Sequence, residues 1–217
     1  MTDLPGSPRE SAASSPGSDG PAATDDEGLG GRLRLLAADQ LNHDQRRYHD
    51  RLAATRGAEA AAAGFVLRLP DGRLVGPFNA YLRVPGIAEA LSSWAAATAA
   101  YDLPADVQQV AILTLGVAWH SDYEIYAHTA EARQAGIPVA AIEAIRAGVI
   151  PAGLSEAAAV AYRLARALAV DHAVGDELYG QALATFGTEK LIALVNLIGR
   201  YMNTAAVLAC FRVPAPE

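Results

Sequence analysis

Apolar residues recur along this chain at spacings of three and four, in stretches broken again and again by Gly and Pro, and that pattern predicts a succession of helices. A first helix is expected over about residues 41–60, with polar and apolar positions mixed as on a surface helix or an arm laid on a partner subunit. Residues 65–75 predict a small hairpin, because in Pro70-Asp71-Gly72 the proline presets φ and the glycine supplies φ > 0. Gly76-Pro77 breaks the chain again before a helical segment over about 87–101. Leu103-Pro104-Ala105-Asp106 opens the next helix, Pro suiting a first turn, and it runs apolar through Val110, Leu113 and Val117 towards Trp119. A helix over 122–135 stops at Gly136-Ile137-Pro138, the expected order of stop signals. A short one over 139–147 comes next, then one from Leu154-Ser155-Glu156 to about Val170. The last two are expected over 175–186 and 188–210, the latter apolar nearly all round and therefore buried. The stretches that begin at Leu103 and Leu154 echo one another loosely, as in a duplicated helical hairpin.

Composition divides the chain. Residues 1–30, rich in Pro, Gly, Ser and Asp, have too few large apolar side chains to offset the entropy of ordering, so a disordered tail is expected. Residues 31–75 read as an N-terminal helix and hairpin, and 76–217 as the main helical domain. Apolar residues make up 52% of the chain but aromatics only 6%, and the abundance of Ala favours closely packed helices over a β-sandwich. A net charge of −7 without a clustered basic face argues against a nucleic-acid partner; Gln45-Arg46-Arg47 reads as a solvated helix face. The lone Cys210 cannot form an internal disulfide and reads as a small buried hydrophobe. No uncharged stretch has the length of a membrane span and the N-terminus lacks signal-peptide features, so a cytoplasmic address with no membrane partner is expected.

The run from Trp119 to His128 carries the candidate chemistry. Glu124 and His128 are four apart and share one helix face, which His120 would extend, with Tyr123 in the same region. A carboxylate beside an imidazole can serve as an acid–base pair, and among apolar helices its proton affinities would be displaced. The same spacing also suits an exposed helix pair of small energetic consequence. Metal ligation by His120, Glu124 and His128 is disfavoured, because three successive turns of one straight helix rarely converge on one ion.

Several phrases occur in a specific order: Gly76-Pro77-Phe78-Asn79-Ala80, Leu103-Pro104 with Ala111-Ile112-Leu113, Ser121-Asp122-Tyr123-Glu124 with His128, residues 132–136, and Phe211-Arg212-Val213-Pro214. In this the chain resembles the carboxymuconolactone decarboxylase family, within the wider superfamily of AhpD-type alkylhydroperoxidases. The resemblance implies an all-α, AhpD-like helical bundle that assembles as trimers or dimers of trimers. In the peroxidase branch the pattern is a Glu, a CxxC and a His. Here Gln109 takes the Glu position, Ser121 and Glu124 the two Cys positions, and His128 the His position. Without a thiolate there is nothing to attack a peroxide, which excludes thiol peroxidase activity. The decarboxylase branch places a Glu at the second Cys position and a His four residues on, as Glu124 and His128 stand here.

What the resemblance implies is a lyase without cofactor or metal. It would decarboxylate a small unsaturated ring or lactone acid, with His128 and Glu124 moving protons. Arg83, close behind Asn79, is the expected cation for the substrate carboxylate, with Gln109, His120 and Tyr123 lining the same region. Gln109 can orient a substrate but cannot relay a proton, which keeps open an isomerase, cyclase or dehydratase on the same scaffold, or a helical binding protein. Trp94, Trp119 and Tyr201 read as core residues.

Overall fold

A computed structural model describes residues 28–216. The expected tail therefore lies outside the described residues, apart from 28–30. The fold is all-α, and among the described residues no strand forms. Eight helices come after a 3₁₀ turn at Ala38–Gln40 in this part of the chain: α1 His43–Ala63, α2 Pro77–Tyr81, α3 Pro85–Ala99, α4 Ala105–Ala118, α5 Asp122–Gln134, α6 Val139–Arg146, α7 Glu156–Arg166 and α8 Asp176–Phe211.

The local signals explain most boundaries. Asn42 caps α1 by accepting from the Gln45 amide at 3.0 Å, while the Gln45 side chain accepts from the Asn42 amide at 3.0 Å, a capping box that satisfies two otherwise orphaned donors. Ser155 caps α7 by accepting from the Ala158 amide. Gly187 takes φ 68° and ψ 169° inside α8, so the two terminal helices expected from the sequence run on from one another across a kink there.

The hairpin expected over 65–75 is reduced to a turn. The Gly72 amide donates to Leu69 O and the Leu69 amide to Arg73 O, but pairing beyond that is a single bridge between Arg68 and Leu74. The side chains explain why. Leu67, Leu74 and Val75 are buried against α1 and α5, and His49 of α1 bonds to the Gly72 carbonyl at 2.8 Å. The segment is held by helices rather than by a partner strand, and two such short runs would not be stable as an isolated hairpin.

α4 is the centre of the molecule, with Val107, Val110, Ala111, Leu113 and Leu115 wholly enclosed. On one side it packs with α7 and α8, on the other with α5, α6 and α7. The echoing stretches, α4 and α7, lie against each other. A third cluster joins residues 29–82 to Ala88 of α3, Tyr123 and Ala127 of α5, and Leu208 at the end of α8.

Two expectations about the C-terminal helix change. It is not buried all round: Leu191, Leu194, Leu197, Ile198 and Tyr201 face inward, whereas Ile192 is 57% and Val195 41% exposed. Cys210 is exposed rather than buried, because the inward face carries Tyr201, Ala205 and Leu208 at helical spacing and Cys210 falls off it. Among the described residues α8 alone has the length and mean hydropathy, 1.4, of a membrane span. It is interrupted at Gly187 and packs against α3, α4 and α7.

Candidate active site

The site forms where α5 presses on α4. A Cβ on Gly116 would lie 3.2 Å from the Glu124 Cβ and 3.3 Å from Ile125 Cγ1, so the absence of a side chain there admits the first turn of α5. That approach carries Glu124 inward, where it is 2% exposed, and leaves His128, one turn on, 6% exposed on the same face. Both line a cavity of about 320 Å³ whose walls include Leu52 of α1, Phe65, Phe78 of α2, Leu91 of α3 and Tyr201 of α8.

Glu124 sits in this wall without a partner. Both carboxyl oxygens are sealed from water and make no hydrogen bond among the described residues. Burial therefore pushes its proton affinity up, from 4.5 to about 8. The nearby Ser121 hydroxyl opposes the rise, but it stands outside hydrogen-bond geometry with the carboxyl and does not cancel it. The N-terminus of α5 also favours a negative charge, but by about 0.3–1 kcal/mol, less than one pKa unit, and burial wins. Glu124 is thus a carboxylic acid, not a carboxylate, at neutral pH.

The expected Glu124–His128 pair does not form. The His128 ring is oriented instead by Gln109 of α4 and Glu131 of α5. Gln109 Nε2 donates to Glu131 Oε2 at 2.9 Å, since a carboxylate can only accept, and this turns Gln109 Oε1 towards His128 Nδ1 at 2.8 Å. Glu131 Oε2 lies 3.2 Å from the same nitrogen. Nδ1 must then carry a proton, so in the neutral form of the ring it is Nε2 that holds the lone pair. At the far end Arg56 of α1 donates to Glu131 Oε1 at 3.2 Å. Burial alone would raise Glu131, but the hydrogen bond and charge of His128, then Arg56 and Gln109, bring it down to about 2. Tyr201 meets the His128 ring edge-on at 5.0 Å.

The other sequence candidates fall in different places. Tyr123 lines the cavity, but its hydroxyl donates to Val66 O at 2.8 Å, and burial pushes its proton affinity up. Its ring packs on Gly76, whose φ is 65° and where a Cβ would meet Tyr123 Cζ at 2.2 Å. Gln109 stands behind His128 rather than in the cavity wall, so it positions the imidazole instead of touching substrate. His120, in the turn before α5 with φ 51°, is exposed and does not reach the cavity.

Asn79 and Arg83 are also outside it. Asn79 accepts from the Leu36 amide and donates to Leu33 O, tying the segment before α1 to α2. Arg83 donates to Asn79 O at 2.8 Å and to Arg34 O. Its guanidinium is spent on backbone carbonyls, so the expected carboxylate receptor is a brace of the N-terminal segment.

Cavity residues with polar chemistry that the sequence reading did not single out include Arg51, Arg56, Glu131 and Arg200, and Tyr201, read there as a core residue, lines the cavity too. Glu131 had a signal, three residues beyond His128 on the same face. The three arginines lie on α1 and α8 and had none. No protein-family model and no curated protein matches this chain.

Proposed function

We propose that this chain is a cofactor-independent lyase that removes CO₂ from a small, carboxylated, unsaturated ring or lactone. The observation that supports it most is that a carboxylic acid kept neutral and an imidazole with a fixed proton line one largely apolar cavity. A neutral acid and an imidazole facing one cavity can serve as proton donor and acceptor. The cavity, near the lower end of the size range for ligand sites, suits a small substrate.

In the reaction, the bond between ring carbon and leaving carboxylate breaks, CO₂ departs, and the electron pair remains on the ring as a dienolate. Glu124 gives its proton to that carbon. The carboxylate left behind is disfavoured where it sits and takes a proton back. The dienolate oxygen needs a hydrogen-bond donor: His128 serves as one from Nε2 when the ring is protonated at both nitrogens, and it keeps that proton while Glu124 supplies the one that reaches carbon. Gln109, Glu131 and Arg56 hold the ring in that orientation.

An isomerase or cyclase is the second reading, favoured by the lone pair at Nε2: His128 would take a proton from one carbon while Glu124 gives one to another, and no CO₂ would form. A coupled CO₂ assay over a panel of unsaturated lactone acids, with wild type and His128→Ala, separates them. The lyase reading expects stoichiometric CO₂ and a loss of about 10²–10⁴-fold in the variant. Turnover without CO₂ supports the isomerase, and substrates recovered unaltered across the panel refute both.

A further inference from the structure

Among the described residues three arginines line the cavity, and two of them are already ion-paired. Arg51 lies 3.6 Å from Glu89, and Arg56 is held by Glu131. Arg200 of α8 is different. Its whole guanidinium makes no hydrogen bond or ion pair among the described residues, whereas Arg56, whose Nε is likewise buried without a hydrogen bond, is tied to Glu131 through its terminal nitrogen. The group lies over the Tyr201 ring at 4.6 Å from the centroid, a cation–π contact that holds the charge at the cavity without using up its N–H donors. A buried donor of this kind is costly to leave unsatisfied, so its retention calls for an acceptor that the folded chain does not supply.

Position gives the acceptor its place. Tyr201 touches both Arg200 and His128, so the guanidinium and the imidazole are separated by no more than the sum of those two ring contacts. Arg200 is not among the groups that displace Glu124, so the two do not neutralise each other across the cavity. Tyr81 stands in the field of both; burial raises its proton affinity first, the Glu124 charge adds to the rise and the Arg200 charge opposes it. Aromatic side chains, Phe65, Phe78 and Tyr201, supply part of the surrounding wall.

We infer that Arg200 is the carboxylate receptor of this site, in the role the sequence pointed to at Arg83, and that the ligand is a planar unsaturated ring acid held by a carboxylate remote from the reacting carbon. The fork of the guanidinium pairs with both carboxylate oxygens, while the ring lies between aromatic walls with its far side towards Glu124 and His128. This deepens the lyase reading, and it rests on that reading only for the chemical steps after binding.

Calorimetric titration with sodium benzoate and with neutral benzamide tests it, since neither probe requires turnover. Wild type should bind benzoate about ten- to one-hundred-fold more tightly than benzamide, the worth of a charge-assisted pair. Arg200→Gln should lose that preference, Arg200→Lys should keep part of it, and Arg83→Gln should leave it intact. Equal binding of the two probes by wild type, or no benzoate binding at millimolar concentration, overturns the assignment without any variant having to fold. An Arg200→Gln protein that folds and retains the benzoate preference overturns it too. The lyase reading can fail separately, in the CO₂ assay, while benzoate binding still depends on Arg200.

Discussion

Replacing Glu124 by Gln isolates the energetic consequence of burying an acid without a partner. In the folded chain the group is raised from 4.5 to about 8. The unfolded chain therefore releases this proton near pH 4.5, whereas the folded chain keeps it to about pH 8. Between those values the folded state binds one more proton than the unfolded state, so stability falls as pH rises, at about 1.4 kcal/mol per pH unit. The loss is absent below pH 4.5 and complete above pH 8, roughly 3–5 kcal/mol in all. Glutamine keeps the shape and has no proton to lose. It leaves a buried amide with no more partners than the protonated acid has, so the variant should match wild type to within about 1–3 kcal/mol at pH 5 and be the stronger protein at pH 8. Urea unfolding followed by circular dichroism at intervals from pH 5 to 8.5 gives both curves, and other titrating groups cancel in their difference. Parallel curves would refute the assignment of Glu124 as a buried neutral acid.

Glu131 should behave in the opposite sense. Its folded value is depressed to about 2, so its contribution is present above pH 4.5 and lost as pH falls towards 2. Glu131→Gln should cost roughly 2–3 kcal/mol at pH 7 and flatten the acid limb of the unfolding curve, with wild-type-like acid sensitivity as the contrary result. Gly76→Ala combines a left-handed φ with a clash on the Tyr123 ring and should lower stability by about 2–5 kcal/mol in urea unfolding. A change below the error of that measurement would mean that Tyr123 moves freely. Asn79→Ala removes the tie to Leu33 and Leu36 and should cost about 1–3 kcal/mol with KM unchanged; a raised KM at unchanged stability would return Asn79 to the substrate site.

The fold was largely legible because its punctuation is local. Gly136 with Pro138, Ser155 and Gly187 each act within a turn of their position, and the helices end or bend where these residues require. The hairpin at 65–75 misled for the same reason: Pro70-Asp71-Gly72 does make its turn, but what holds the flanks is His49 and the face of α1, which no local pattern announces.

The site was half legible. The spacing of Glu124 and His128 placed both on the cavity face. It also suggested that the two pair with each other, whereas the ring is held by Gln109 and Glu131. Gln109, which in the sequence only marked where the resemblance breaks down, is in the structure the link from a charged pair to the imidazole. Arg56 and Arg200 reach the cavity only through the packing of α1 and α8 on α5, contacts between residues far apart in the chain. Arg83 had the right charge near the right phrase, but nothing in its neighbours tells that Asn79 O and Arg34 O would claim it.

The central claim is that Glu124 works as a protonated acid beside His128, and the pH dependence of kcat/KM tests it most directly. On the substrate that releases CO₂, wild-type kcat/KM should fall as pH rises through about 8, where Glu124 loses its proton. Glu124→Gln, which has no proton to give, should be slower by about 10²–10⁴-fold and lose that alkaline limb. A wild-type profile that stays level to pH 9.5, or a Glu124→Gln enzyme that turns over at the wild-type rate, would contradict the account.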